Sequence, residues 1–181
     1  MSNITKNNPL VSIIMNCRNS QEYLPEAIDS VFAQSYTHWE IIFWDNASTD
    51  DSATIAQGYG EKVRYFRGDT AIALGQARNL AMTEAKGRYL SFLDCDDKWF
   101  PQKLQKQVEL LEIRKDIDFA YSNYFRLIMP KTDSLILGLR GSQPEGDVFG
   151  RFLYEYPVNL QTVMLRMDAV NSLQQKFDVN F

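Results

Sequence analysis

The sequence predicts an α/β fold in which a mostly parallel central sheet carries helices on both faces, a Rossmann-like arrangement. Three observations favour it. Short apolar runs alternate with segments of helical periodicity through residues 10–115. The strand candidates are almost continuously apolar, which is typical of strands covered on both faces. Polar clusters follow three of these strands, at the edge where parallel sheets bind their ligands.

Four strands are predicted in this region, each a short apolar run bounded by polar or turn-forming residues. They lie at Leu10–Met15, Trp39–Trp44, Val63–Arg67 and Tyr89–Leu93. The intervals between them are long enough for crossover helices, so we expect consecutive strands to run parallel.

The first two helices follow the first two strands. Asn19 and Glu22 form a capping-box pattern that predicts the start of the first helix. Its apolar face comprises Leu24, Ala27, Ile28 and Val31. A weaker second helix is predicted at Asp51–Tyr59.

The third and fourth helices flank the fourth strand. We expect Gly87 to end the third helix, whose apolar face comprises Ala77, Leu80, Ala81 and Ala85. Pro101 predicts the start of the fourth helix, which directs Leu104, Val108 and Leu111 inward.

The pattern is looser in the last third of the chain. Further strands are predicted at Asp118–Tyr121 and Thr162–Arg166, and further helices at Asp147–Tyr156 and Asp168–Leu173. Pro130–Asp147 is a long connection around Leu135–Leu139. Loops of this length in a compact domain often have a functional role.

Composition excludes several classes of protein. The chain has 181 residues, and its 19 basic and 23 acidic residues give a net charge of −4, which argues against a nucleic-acid surface. No apolar run approaches the roughly 20 residues of a membrane span. The polar start, Met1–Asn8, lacks the apolar segment of a signal peptide. The expected location is the cytoplasm.

Cysteine and histidine are scarce. Cys17 and Cys95 both follow predicted strand ends, so they are expected to be close in space and reduced. His38 is the single histidine. A structural zinc site needs about four Cys or His ligands, and Ser-His-Asp chemistry needs a positioned histidine. Both kinds of chemistry are therefore disfavoured.

The fourth strand leads directly into an acidic cluster, Asp94–Asp97, followed by Lys98, Trp99, Phe100 and Pro101. Carboxylates crowded at a strand end repel one another unless a cation neutralises them, and a hard divalent ion does so best. The alternative is an acidic turn that caps the helix begun by Pro101. For Asp97 the two interpretations stay equally open.

Three further polar segments surround this cluster in the predicted fold. They are Asn16–Asn19 after the first strand, Asp45–Asp50 after the second, and Gly75–Asn79 at the start of the third helix. The G-x-G-x-x-G fingerprint and the P-loop are both absent, so any nucleotide site is built from other parts.

Together these segments resemble the inverting family 2 glycosyltransferases of the GT-A fold. The resemblance rests on Val11–Ile14, Ala33–Tyr36, Trp39–Ile42, Ala77–Asn79 and Phe92–Asp97. It implies one domain over residues 1–181, with a nucleotide-sugar-binding half at about 10–115 and a partial acceptor half at about 116–181.

The resemblance also implies roles in donor binding. Asp96 is expected to be the direct ligand of Mn²⁺ or Mg²⁺, with Asp94 on the ribose or on metal-bound water and Cys95 between them in the motif. Arg78 matches an arginine that approaches the base or the diphosphate. Arg18 is a weaker candidate for similar duty at the phosphates, and Asn16 lies beside it. Trp99 is expected either to line the sugar pocket or to pack in the core.

The same resemblance implies that Asp45 and Asn46 recognise the base of the nucleotide. Many members carry two aspartates there, and Asn46 departs from that pattern. An amide still accepts the N3–H of uracil or thymine, so UDP-linked and dTDP-linked sugars both remain open as donors.

An inverting transfer needs a general base, which relatives carry in a Glu-Asp-like motif shortly after a Phe-Asp segment. Here Phe177 and Asp178 match that segment and no Glu-Asp pair follows. We expect the domain to be cut before its base, beyond Phe181, with Asp178 as a weak substitute. The first alternative function is therefore a nucleotide-sugar-binding fragment without turnover.

A haloacid-dehalogenase-type phosphatase is a remote alternative. It also uses an Asp-x-Asp motif and Mg²⁺, but it wants Thr or Val where Lys98 stands and places the motif on the first strand. For a glycosyltransferase, the acceptor is expected to be a saccharide, a lipid-linked or a protein glycoconjugate. Polysaccharide biosynthesis, with peripheral association at the inner face of the membrane, fits that acceptor class.

Overall fold

The computed structural model describes residues 8–127, 135–148 and 158–180. Its strands are β1 Val11–Cys17, β2 Trp39–Asp45, β3 Val63–Arg67, β4 Tyr89–Phe92, β5 Phe119–Ala120, β6 Phe125–Leu127, β7 Leu135–Leu137 and β8 Met164–Arg166. Its helices are α1 Leu24–Phe32, α2 Ser52–Gln57, α3 Leu74–Thr83, α4 Lys103–Ile113 and α5 Met167–Ser172, with a 3-10 turn at Leu160–Thr162.

Six of these strands form one sheet in the order β3-β2-β1-β4-β8-β5, while β6 and β7 form a separate two-stranded sheet. The first four strands of the chain are parallel, with Val11 of β1 opposite both Trp39 and Tyr89. β8 runs antiparallel to its two neighbours. The prediction of a mostly parallel α/β sheet is confirmed.

Helices cover both faces of the sheet because successive strand residues point to opposite sides. On one face, Ile13 and its neighbours pack against the apolar faces of α1 and α4. On the other, Ile14 and Ile42 pack against Ala81 and Met82 of α3 and Val170 of α5. Among the residues described, no helix has the length and apolar character needed to cross a bilayer.

The predicted start of α1 is wrong. Asn19 does not cap the helix, since α1 begins at Leu24 and its N-cap residue is Tyr23. Asn19 instead has a φ of 55°, and its side chain accepts the backbone N–H of Thr49 at 2.8 Å. The residue therefore joins the loops after β1 and β2. The four predicted apolar residues of α1 are buried as expected.

The apolar face predicted for the third helix also needs correction. Leu80 is 38% exposed, Ala85 lies beyond the end of α3, and Met82 is buried in their place. The fourth helix starts at Lys103 rather than at Pro101. Part of the predicted connection, Leu135–Leu137, is a strand. Most of the helix predicted at 147–156 lies outside the described residues.

Gly87 is required by packing, although it does not end α3 directly. A Cβ at this position would lie 2.5 Å from the backbone N of Ser12 and 2.8 Å from the carbonyl oxygen of Leu10. The Gly87 N–H donates to the Ser12 hydroxyl at 2.8 Å, and that hydroxyl donates to Glu40 at 2.6 Å. The glycine thus allows the backbone just before β4 to lie in close contact with β1.

We predict that Gly87→Ala destabilises the fold by about 2 kcal/mol or more, because the added methyl overpacks the junction of β1 and β4. Urea unfolding followed by circular dichroism measures the change. Lys86→Ala, at the exposed neighbouring side chain, is the matched control and should shift stability by less than about 0.5 kcal/mol. Equal stability of the two variants would contradict this account of the junction.

Candidate functional site

An open cleft of about 380 Å³ lies beyond the carboxyl ends of β1 and β4. Its lining comprises Asn16, Asn19, Ser20, Tyr23, Leu74, Asp94, Cys95 and Asp96. A second depression of about 270 Å³ shares Leu74 with it and is also lined by Gly75, Arg78, Phe177 and Asp178. Six of the residues singled out from the sequence thus line two adjoining hollows: Asn16, Asp94, Cys95, Asp96, Arg78 and Asp178.

Asp94 is held by a donor on each carboxylate oxygen. Arg78 Nη2 lies 3.2 Å from Oδ1, and Gln161 Nε2 donates to Oδ2 at 2.5 Å. Gln161 belongs to the 3-10 turn before β8, and its backbone oxygen accepts the indole N–H of Trp99 at 3.0 Å. Sequence reasoning missed Gln161, because nothing local marks a residue that acts on a carboxylate 67 positions earlier.

Asp96 presents a free carboxylate at the cleft. Its side chain is exposed, and within the described residues it has no hydrogen-bond or ion-pair partner. Asp97 is half-buried, and burial raises the pKa of its carboxyl, with the charges of Asp96 and Asp94 adding to the shift. Neither residue caps α4, whose N-cap position is Gln102. The helix-cap interpretation of the acidic cluster is therefore wrong.

The acidic cluster suits a metal ion only if a ligand supplies further oxygens. In the part of the chain that the structure describes, no group of three or more His, Cys, Asp or Glu side chains could hold an ion by itself. Mg²⁺ at a phosphate site typically takes one or two carboxylates and completes its shell with phosphate oxygens and water. The free carboxylate of Asp96, with Asp94 beside it, fits such a shared site.

Asp45 is fully buried at the end of β2. Its Oδ1 accepts the N–H of Ser48 at 2.7 Å, and its Oδ2 accepts the Tyr65 hydroxyl at 2.6 Å and Arg67 Nη1 at 2.7 Å. Burial by itself raises the pKa of this carboxyl, but the hydrogen bonds from Ser48 and Tyr65 and the Arg67 charge outweigh it, so the pKa lies below its ordinary value.

Asn46 fixes the neighbouring loop through both ends of its amide. Its Nδ2 donates to the Ile72 carbonyl at 2.8 Å, and its Oδ1 accepts the Ile72 N–H at 3.1 Å. Asp45 and Asn46 therefore hold the loops after β2 and β3 in place, and neither is among the residues that line the cleft. Sequence reasoning did not anticipate their partners Tyr65, Arg67 and Ile72.

Within the described residues, Asn16 is one of three residues with a buried side-chain nitrogen or oxygen that makes no hydrogen bond; the others are Trp44 and Gln161. In Asn16 this atom is Nδ2, and the residue lines the cleft. An unsatisfied buried donor costs about 1–3 kcal/mol, so this amide is suited to a ligand acceptor. Arg18, two residues on, is exposed.

Cys17 and Cys95 meet beneath the cleft as two free thiols. The hydrogen bond from Cys95 lowers the pKa of the Cys17 thiol to about 6, whereas the same contact and burial raise the pKa of Cys95. Cys95 also contacts the Asn16 carbonyl at 3.4 Å. The expectation that the two lie close together in reduced form is confirmed, and Cys95 is the inward residue between two outward carboxylates.

Asn79 brings the end of the chain to the site. Its side chain donates to the Phe177 carbonyl at 2.9 Å and accepts the Phe177 N–H at 3.1 Å. The Phe177 ring packs edge-on against Phe92, with centroids 5.5 Å apart, and Arg78 lies 5.4 Å from its centroid. Neighbouring residues of one helix thus serve two purposes: Arg78 contacts Asp94, and Asn79 positions the segment of Asp178.

Trp99 packs in the core. It is 8% exposed and belongs to the cluster formed with α1 and α4. Of the two roles expected for this side chain, core packing is the one the structure supports.

The fold and this strand-end site define a GT-A glycosyltransferase domain, and comparison with known proteins gives its family. Residues 12–150 match the sequence profile of Glycosyl transferase family 2. The chain therefore belongs to that family, and the phosphatase alternative is dropped. TuaG of Bacillus subtilis, named for teichuronic acid biosynthesis, is 33% identical over 92% of this chain and 66% of its own length.

A second relative is WfaP of Escherichia coli, named a UDP-Glc:α-D-GlcNAc-diphosphoundecaprenol β-1,3-glucosyltransferase. It is 33% identical over 91% of this chain and 63% of its own length. The chain thus spans less than two thirds of the length of these relatives.

Solved structures share the fold. Residues 1–349 of TarS from Staphylococcus aureus superpose with a TM-score of 0.71 at 22% identity, covering 89% of this chain and 48% of that one. The mannosyltransferase PcManGT of Pyrobaculum calidifontis, solved with GDP-Man and Mn²⁺, gives a TM-score of 0.69 at 16% identity, covering 92% and 47%.

We predict that Asp45→Asn lowers stability at pH 7 by about 2 kcal/mol, because Tyr65 and Arg67 lose a buried anionic acceptor. A carboxyl whose pKa is lowered by folding stabilises the protein above its unfolded pKa, about 3.9. That contribution is lost as pH falls through the lower, folded-state value.

The stability difference between Asp45→Asn and the parent chain should therefore shrink when pH falls from 7 towards 3. Urea unfolding at several pH values measures it. Glu61→Gln, at an exposed carboxylate, is the control and should match the parent throughout. A difference that stays constant over this pH range would show that the Asp45 charge contributes nothing.

Proposed function

We propose that this domain transfers a sugar from a nucleotide-diphosphate donor to a saccharide or glycoconjugate acceptor with inversion, assisted by a divalent metal ion. The observation that carries the proposal is the pair Asp94 and Asp96 at the end of β4. One carboxylate is held by Arg78 and Gln161, and the other faces the cleft unpaired. Membership of Glycosyl transferase family 2 supports the reaction class.

The donor is proposed to be a UDP-linked or dTDP-linked sugar. TarS structures have been solved with UDP and with UDP-GlcNAc, each with a TM-score of 0.64 to this chain. The pyrimidine would lie against the loops after β2 and β3, which Asp45 and Asn46 hold in place. The unpartnered Nδ2 of Asn16 is the donor available to a carbonyl or phosphate oxygen, with Arg18 at the exposed side.

Asp96, together with Asp94, would hold the Mn²⁺ or Mg²⁺ ion. When bound, such an ion offsets the negative charge that develops on the diphosphate leaving group. Arg78 adds a second positive charge beside Asp94, and its contact with that carboxylate holds the guanidinium between the cleft residue Asp94 and the adjoining depression. Burial of Cys95 fixes the backbone between the two aspartates.

The transfer step joins the acceptor hydroxyl oxygen to the anomeric carbon as the bond to the diphosphate breaks. The hydroxyl proton passes to a general base. Asp178 is the candidate base among the described residues, because Asn79 holds its segment beside Arg78 and it lines the adjoining depression. Its carboxylate accepts the Asn180 N–H at 2.8 Å. The second candidate function is donor binding without turnover.

The acceptor is proposed to be a lipid-linked saccharide. WfaP, whose match covers 91% of this chain, is named for an acceptor that joins GlcNAc to undecaprenol through a diphosphate. With such an acceptor, this domain would act at the inner face of the membrane and take part in polysaccharide biosynthesis.

We predict that Asp96→Asn abolishes metal-dependent nucleotide binding while leaving the fold intact. A change near a bound metal typically costs 10- to 100-fold in affinity, so the loss for a direct ligand should be at least about tenfold. Calorimetric titration with UDP and dTDP in Mn²⁺ measures it, and Glu61→Gln should bind like the parent chain. Unchanged affinity of the Asp96 variant would remove this residue from the site.

Transfer itself is tested by incubating the chain with UDP-linked and dTDP-linked sugars, Mn²⁺ and a GlcNAc-diphosphate-polyprenol acceptor, followed by mass spectrometry of the lipid. A product that is lost in Asp178→Asn supports the candidate base. Donor binding without product favours the binding-only alternative, and absence of both contradicts the proposal.

A further inference from the structure

The two-stranded sheet of β6 and β7, here called the apolar ribbon, exposes an unusual number of large apolar side chains. Phe125 pairs with Leu137 and Leu127 pairs with Leu135, so these four share one face. Each is between 43% and 56% exposed. Ile136 on the opposite face is 44% exposed. Soluble domains rarely leave such a contiguous patch without a binding role.

The patch continues onto the loop that follows the acidic cluster. Phe100 is 63% exposed, and its ring packs edge-on against Phe125 with centroids 5.9 Å apart. Phe100 lies four residues beyond Asp96, a distance of at most about 14 Å along an extended chain. The apolar ribbon therefore contacts the same loop that carries the acidic cluster of the cleft.

Specific contacts join the two arms of the ribbon where they leave the strands. The side chain of Asn123 donates to the Leu139 carbonyl at 2.8 Å and accepts the Leu139 N–H at 2.9 Å. The Gly138 N–H donates to the Tyr124 carbonyl at 2.8 Å. A Cβ on Gly138 would lie 2.4 Å from the Tyr124 ring, so the ring occupies the space a side chain would need. These contacts continue the pairing of β6 with β7 beyond the ends of the two strands, and Phe100 packs against the ribbon from the loop after β4.

The charge of the ribbon is opposite to that of the whole chain. Arg126 pairs with Ile136 on the face opposite the four apolar side chains, and Arg140 lies three residues beyond β7. Both are exposed, and within the described residues neither guanidinium has a hydrogen-bond or ion-pair partner. Residues 119–127 and 135–140 contain no Asp or Glu, whereas the whole chain has a net charge of −4. Apolar side chains beside unpaired cations are characteristic of segments that bind an anionic lipid interface.

We propose that the apolar ribbon docks this protein on an anionic lipid surface, with Phe100 and the ribbon side chains in the headgroup layer and Arg126 and Arg140 against lipid phosphates. The docking would bring the cleft beside a lipid-linked acceptor. This role of the docking rests on the proposed function, whereas the membrane contact itself does not. The contact itself depends on the exposed apolar side chains and the two arginines.

The test is co-sedimentation of the purified chain with vesicles of phosphatidylcholine alone or mixed with phosphatidylglycerol. We expect binding to the mixed vesicles that weakens with added salt. The double variant Leu135→Ser and Leu137→Ser should bind at least about tenfold less. Replacing Arg126 or Arg140 with Gln should reduce binding about fivefold each.

The matched control is Leu110→Ser with Ile113→Ser, which removes two exposed apolar side chains from α4 and should bind vesicles like the parent. Equal losses in the control and the ribbon variant, or no binding to mixed vesicles, would overturn the proposal. The proposal would also be overturned if the parent chain formed a dimer that the ribbon substitutions dissociate, and did not bind vesicles.

Calorimetric titration of the same variants with UDP separates this inference from the proposed function. The ribbon variants should keep the nucleotide affinity of the parent, which also shows that they are folded. If the parent binds vesicles through the ribbon but binds no nucleotide, the docking stands and the donor assignment fails.

Discussion

The parallel pairing of β1 with β2 on one side and β4 on the other is the constraint on which the rest of the structure depends. This register ends β1 at Cys17 directly opposite Asp45, and it brings the acidic segment after β4 to the same edge. A shift of one residue would reverse the inward and outward positions of an entire strand. Gly87 preserves the register by letting the chain approach Ser12 without a clash.

Around that edge, some polar side chains bond to other parts of the protein and others have no partner within the described residues, and their positions in the sequence do not distinguish the two groups. Asp45 and Asn46 form hydrogen bonds with neighbouring loops, and Asp94 accepts hydrogen bonds from Arg78 and Gln161. Asp96 and the amide of Asn16 stay available to a ligand. The occupied groups hold the surrounding loops and Asp94 in place, and we propose that the available ones bind a nucleotide with its metal ion.

The sequence was sufficient to predict the central sheet because its strands are buried on both faces and therefore read as apolar runs. It also located the polar clusters, since parallel strands end at a common edge. It failed at Asn19, where a capping-box pattern was used instead to join two loops, and at Leu80, which faces solvent. Gln161 could not be found, because only tertiary structure places it against Asp94.

The central claim is that the edge of the sheet beyond β1 and β4 binds a nucleotide diphosphate together with a divalent ion. Calorimetric titration of the chain with UDP, dTDP, GDP and CDP, each with and without Mn²⁺, tests it most directly. The account predicts binding of UDP or dTDP that depends on the metal. Failure of all four nucleotides to bind, or affinities that are the same with and without Mn²⁺, would contradict it.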